Sequence, residues 1–113
     1  MSQIIIYEIV QWHKETFPDV KKSDQIKKLE EELTEWYKSF DKFELADVLI
    51  CSAVLWQRFN CQIGHAVFVY GQKMANELLE YPSDLMSKKM VINKKRNWQK
   101  IDGVYRHVES WEK

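Results

Sequence analysis

Glycine and proline are scarce, with three and two in 113 residues. An all-β fold needs a turn signal roughly every ten residues, so this scarcity excludes a sandwich or a barrel. Cysteine is equally rare. Cys51 and Cys61 are the only two and form no C-x-x-C pair, which argues against a disulfide framework or a zinc ribbon and favours a reducing compartment. Net charge is absent, since 17 Lys plus Arg balance 17 Asp plus Glu. A neutral chain has no global attraction to nucleic acid or to an anionic membrane. No apolar run approaches the length of a membrane span. The opening Met-Ser-Gln-Ile-Ile-Ile-Tyr-Glu lacks a basic segment, and Glu8 breaks its apolar run, so no signal peptide is read. The expectation is a soluble cytoplasmic protein without a nucleic-acid or membrane partner.

What remains is a globular composition. Hydrophobic residues make up 45%, too many for a disordered chain, and the length suits one domain over residues 1–113. Helical spacing recurs. Ile6, Ile9, Val10, His13 and Phe17 fall on one stripe of a first helix, which Pro18 ends by disfavouring α geometry just before it. Ser23 or Asp24 can cap a second, carrying Ile26, Leu29, Leu33, Trp36 and Phe40. Asp41 caps a third, from about Phe43 to Phe59. A fourth reads through Ile63, Val67, Tyr70, Met74 and Leu78, although Gly64 and Gly71 each cost about 1 kcal/mol there relative to alanine. Pro82, Ser83 and Asp84 open a fifth, with Leu85, Met86 and Met90. After Trp98, an Asp102-Gly103 turn flanked by Ile101, Val104 and Tyr105 suits a short hairpin. The expected architecture is therefore all-α, with helices over about residues 2–98 and a tail over 99–113.

The third segment stands apart. From Phe43 to Gln57 its only charged residues are Glu44 and Asp47. A helix apolar on nearly all sides must be covered on nearly all sides. About five short helices cannot do that unaided, so a subunit interface is expected to complete the core.

Glu32 and Glu35 lie three apart, as do Glu44 and Asp47. Such a pair sits only about 60° apart on a helix surface, one turn above the other. Two pairs on consecutive antiparallel helices would converge, and converging carboxylates repel one another unless cations sit among them. An all-oxygen set suits Mg²⁺ or Mn²⁺ rather than zinc. Structural readings exist for most of these acids. The run Glu30, Glu31, Glu32, Glu35 also fits the solvated face of an amphipathic helix, and Glu44 fits a capping box with Asp41. Asp47 fits neither, because it lies one turn inside an apolar helix. Farther on, residues 88–100 hold Lys88, Lys89, Lys94, Lys95, Arg96 and Lys100 with no acid. They suit either a polyanion or a solvated helix end.

The run Lys28 to Glu35, followed by Glu44-Leu45-Ala46-Asp47, resembles the MazG-like all-α nucleotide pyrophosphohydrolases, whose signature is E-E-x-x-E followed by E-x-x-D. Glu31, Glu32 and Glu35 match the first part, and Glu44 and Asp47 the second. Lys89-Met90-Val91-Ile92-Asn93-Lys94-Lys95-Arg96 looks like the family's K-M-x-x-N-[KR]-x-R segment. Together the matches span roughly residues 6 to 98. Two departures accompany them. The stretch from Glu35 to Glu44 is short, and Cys51 stands where some relatives carry a base-contacting aromatic.

The resemblance implies a MazG-like bundle of about four to five helices, working as a homodimer or homotetramer. It implies Mg²⁺ as cofactor, with Mn²⁺ a possible substitute, held by Glu32, Glu35, Glu44 and Asp47. Glu31 would position the attacking water or a further ion. Lys89, Asn93, Lys94 and Arg96 would contact the phosphates of a nucleoside triphosphate, and Trp12, His13 and Trp36 would form the base pocket, although aromatics at helical spacing equally fit a core. The implied reaction yields a nucleoside monophosphate and pyrophosphate. The alternative is a non-enzymatic helical dimerisation module. A ferritin-like di-iron bundle would need Glu-x-x-His pairs, and none occurs.

Overall fold

The computed structural model describes residues 2–102 and 104–108, and Gly103 of the expected turn lies outside them. Five helices, α1 Ser2–Thr16, α2 Lys22–Ser39, α3 Lys42–Gln57, α4 Gln62–Glu77 and α5 Pro82–Lys95, precede two strands, β1 Asn97–Ile101 and β2 Val104–Val108. The architecture is an all-α bundle carrying one hairpin. Its radius of gyration is 13.2 Å. No helix among the described residues is long and apolar enough to cross a membrane.

Local chemistry explains most boundaries. Asp41 caps α3 as expected, its Oδ1 accepting the Phe43 N–H at 2.8 Å. At α2 neither Ser23 nor Asp24 is the cap. Lys21 occupies that position, and Asp24 reaches back from inside the helix to accept the Lys21 N–H at 3.0 Å. The carboxylate thus satisfies an end donor from the third helical position, so α2 begins earlier than a capping reading suggests. Between α2 and α3 lie only Phe40 and Asp41. Phe40 takes a left-handed conformation (φ 53°), and its N–H bonds the Trp36 carbonyl at 2.8 Å, a helix stop usually given to glycine. That turn folds α3 back along α2.

α3 is the centre of the bundle. Its residues Leu45 to Ala46 and Val48 to Leu55 are all buried, flanked by α2 and α4 and crossed by α1 and α5. Within one chain the four other helices already enclose this helix. The reason lies in α4. Its buried residues are Gly64, Phe68, Gly71 and Ala75; of the expected stripe, Val67, Tyr70 and Met74 pack half-buried against the core, while Ile63 is 57% and Leu78 39% exposed. A Cβ on Gly64 would lie 2.5 Å from the Trp56 backbone nitrogen, and one on Gly71 2.8 Å from Leu49 Cδ2. Two glycines, two turns apart, let α4 lie against the α3 backbone. Their propensity cost is offset by burial of the central helix.

The hairpin pairs antiparallel from Asn97↔Val108 to Ile101↔Val104. It packs against the helices. Val104 is buried, and Lys100 and Tyr105 both bond Asp19, at 3.0 and 2.6 Å. The Lys27 ammonium donates to the Asp102 carbonyl at 3.1 Å.

Candidate metal centre and ligand cavity

The tight α2–α3 turn puts two polar stripes face to face. On α2, Gln25, Lys28, Glu32 and Glu35 recur at spacings of three and four, and on α3 Glu44, Asp47 and Cys51 do the same. Because the helices run antiparallel, Gln25 meets Cys51, its amide donating to the Cys51 carbonyl at 3.2 Å. One carboxylate oxygen from each of Glu32, Glu44 and Asp47 lies within 4.8 Å of the others. All three are partly buried. Burial first, and then the charge of Asp47, push the Glu32 carboxyl up to about 7. Burial and the Asp47 charge also raise Glu44. Lys28 reaches Glu32 at 3.5 Å, and Lys89 reaches Asp47 at 3.3 Å.

Three carboxylates thus face two lysines, and burial together with this like charge favours the protonated form of Glu32. An oxygen-only donor set of this size fits a hard divalent cation such as Mg²⁺ or Mn²⁺. Glu35 lines the same cavity and its charge opposes ionisation of Glu44, but its carboxylate lies outside the group of three and is paired with Lys38 at 3.8 Å.

The three carboxylates open into a cavity of about 440 Å³. From Glu32 back to Gln25 is seven residues of α2, about 10 Å of helix, and there the wall changes character. Trp12, Phe17, Trp98 and Tyr105 line it, linked by ring contacts with centroids 4.4 to 6.1 Å apart. The polar groups at this end are already satisfied. The Arg58 guanidinium contacts His13 Nδ1 at 2.6 Å and donates to the Phe17 carbonyl at 3.0 Å. Arginine only donates, so His13 Nδ1 accepts and its proton resides on Nε2, facing the Gln25 side chain. Burial, then the Arg58 charge, hold the imidazole down to about 3, so it stays neutral.

Of the sequence-predicted substrate residues, Lys89, Asn93, Arg96, Trp12 and His13 line the cavity. Asn93 is buried, and its Oδ1 has no hydrogen-bond partner among the described residues. Trp36, Lys94 and Glu31 are placed elsewhere. Trp36 is 1% exposed and donates to the Tyr70 hydroxyl at 2.8 Å, because its position on α2 faces α4 and the core. Lys94 is exposed on the outer face of α5. Glu31 points to the hairpin, where both its oxygens accept from Arg106 at 2.7 Å.

Gln25, Lys28, Arg106 and the hairpin aromatics escaped the sequence reading. The polar stripe 25-28-32-35 on α2 was a usable signal for the first two. Nothing local marked Arg106, since a strand residue reaches this cavity only through tertiary packing.

No family model and no curated protein matches the chain. A solved structure does resemble it. This is a cyanophage S-2L MazG-like pyrophosphohydrolase bound to dGDP and three catalytic Mn²⁺ ions per active site. It is 27% identical, and the alignment covers 96% of this chain and 98% of that one with a TM-score of 0.49.

Proposed function

We propose that the chain is a divalent-cation-dependent pyrophosphohydrolase converting a nucleoside triphosphate and water to a nucleoside monophosphate and pyrophosphate. The observation that carries this reading is the meeting of Glu32, Glu44 and Asp47, from two consecutive helices, in the wall of a cavity whose other end is aromatic. An acidic end that takes a cation, basic groups around it and a flat apolar end about 10 Å away match a ligand with a polyanion at one end and a ring at the other.

Glu32, Glu44 and Asp47 would hold the ion, with Glu35 joining from the next turn of α2. When bound, the ion neutralises phosphate oxygens and acidifies a water. The chain's own groups do the rest. Lys89 and Lys28 sit on triad carboxylates and would offer their ammonium groups to phosphate. Arg96 pairs with no described acid and offers its fork to phosphate oxygens. Asn93 lines the same wall. Trp12 and Trp98, packed edge to face, form an apolar wall for the base, while His13, neutral and locked between Arg58 and Gln25, lies beside it.

The test is a panel of nucleoside triphosphates and deoxynucleoside triphosphates with Mg²⁺, assayed for pyrophosphate. Pyrophosphate release that Asp47→Asn lowers about a hundredfold or more, with helical circular dichroism intact, is the expected result. Orthophosphate as the product, or full activity in the variant, overturns the reading.

A further inference from the structure

The geometry points to Arg106, carried on the hairpin, as a contact for the phosphate chain of the bound nucleotide, with Glu31 as the positioning residue that aims it. This rests on the reading above and adds a cation that lies outside both acidic motifs and outside the basic segment of α5.

Four cations line the cavity, and their partners differ. Lys28 and Lys89 each sit on a carboxylate of the triad, so their orientation changes with the occupancy of the metal centre. Arg96 pairs with no described acid. Arg106 alone is held by an acid outside the triad, in a two-pronged contact of 2.7 and 2.7 Å to Glu31. Its aim is therefore set before ion or substrate arrives. Two of its five N–H donors are spent on Glu31, and three remain. The side chain is still 39% exposed and lines the cavity, so the remaining edge of the fork is open to an acceptor. A guanidinium fixed along one edge by a carboxylate and free along another is suited to grip a phosphoryl group in two-pronged fashion.

The competing account makes the pair a fastener for the hairpin. It explains less. A half-exposed ion pair adds little to stability, and the hairpin is already anchored by buried Val104. A fastener also has no need to stand in the cavity wall with most of its donors unused.

Isothermal titration of the full chain in Mg²⁺ with two probes separates the accounts. Inorganic tripolyphosphate carries the anion without a base, and a nucleoside carries the base without phosphate. Arg106→Ala is expected to weaken tripolyphosphate binding about tenfold or more and leave nucleoside binding as in the parent. Arg106→Lys, which keeps charge and loses the fork, falls between. Asp19→Asn, which loosens the same hairpin at its other anchor, leaves tripolyphosphate binding within about twofold. If Arg106→Ala and Asp19→Asn change both probes alike, Arg106 is a fastener and the proposal fails. Unchanged tripolyphosphate binding in Arg106→Ala also overturns it. Should Arg106→Ala fail to fold, Arg106→Lys against Asp19→Asn decides by the same criterion. A parent chain that binds no tripolyphosphate with Mg²⁺ present removes the pyrophosphohydrolase reading as well, an outcome distinct from parent binding that the variants leave intact.

Discussion

Replacing Glu32 by glutamine should make the ion-free protein more stable and its metal centre useless. Glu32 is held in a partly buried triad with Glu44 and Asp47, and its carboxyl is pushed up to about 7 against an ordinary 4.5. A carboxyl raised in the folded state favours folding fully below about pH 4.5 and loses that contribution as pH rises through about 7. Above pH 7 the ionised group costs about 3 kcal/mol, taking 1.36 kcal/mol for each pH unit of displacement. Glutamine keeps the shape of the protonated acid and carries no charge, so Glu32→Gln escapes that cost. For a domain of this size the gain corresponds to roughly 10 °C in Tm. At pH 5 the acid is already protonated in the folded state, and the gain shrinks to below about 1 kcal/mol. Mg²⁺ reverses the ranking, since an ion that binds the native parent stabilises it in proportion to its affinity and the variant lacks a ligand. Thermal melts of both proteins at pH 8 and pH 5, with and without Mg²⁺, read all four quantities. A variant less stable than the parent at pH 8 without ions, or one that keeps the parent's full Mg²⁺ shift, refutes the electrostatic account of the triad.

Other outcomes follow from the same contacts. His13 is held down to about 3, so its contribution to stability is present above about pH 6.5 and is lost as pH falls through about 3. In the Glu32→Gln background, where the opposing titration is gone, the urea midpoint should drop on acidification by on the order of 4 kcal/mol in stability. His13→Asn should flatten that drop, and an unchanged slope would exclude the buried His13 imidazole as its source. Gly64→Ala should cost about 1–3 kcal/mol, because the added carbon meets Trp56 and Leu55 backbone. Gly71→Ala should cost less, since it meets only the movable Leu49 side chain and gains helix propensity of about 1 kcal/mol. Equal losses in chemical denaturation would mean that α4 does not approach α3 as closely as the structure has it. Chelation of divalent ions should abolish pyrophosphate release and lower Tm at pH 8, and restored Mg²⁺ should recover both.

Much of the helical layout was legible along the chain because it depends on near neighbours. Asp41, Pro18 and Pro82 act within a few residues of where they stand, and the α1 stripe of Ile6, Ile9, Val10, His13 and Phe17 is buried throughout. The same holds for the acids. Spacing of three within α3 and a short connection back to α2 are local facts, and they bring Glu44 and Asp47 to Glu32, while Glu35 stands outside the group.

Other features were not readable in this way, for one physical reason: they depend on how close two distant surfaces come. Gly64 and Gly71 look like weak points in a helix until α3 lies against them, and then they explain why one chain covers its own central helix. Trp36 and Trp12 are the same residue type on similar stripes, yet one faces α4 and the other the cavity. Glu31 and Glu32 are adjacent in an acidic run, but 100° of helical rotation sends one to Arg106 on the hairpin and the other to the metal centre. Residue order settled which side chains share a helical face; only the packing of helix on helix and hairpin on helix settled what each face meets.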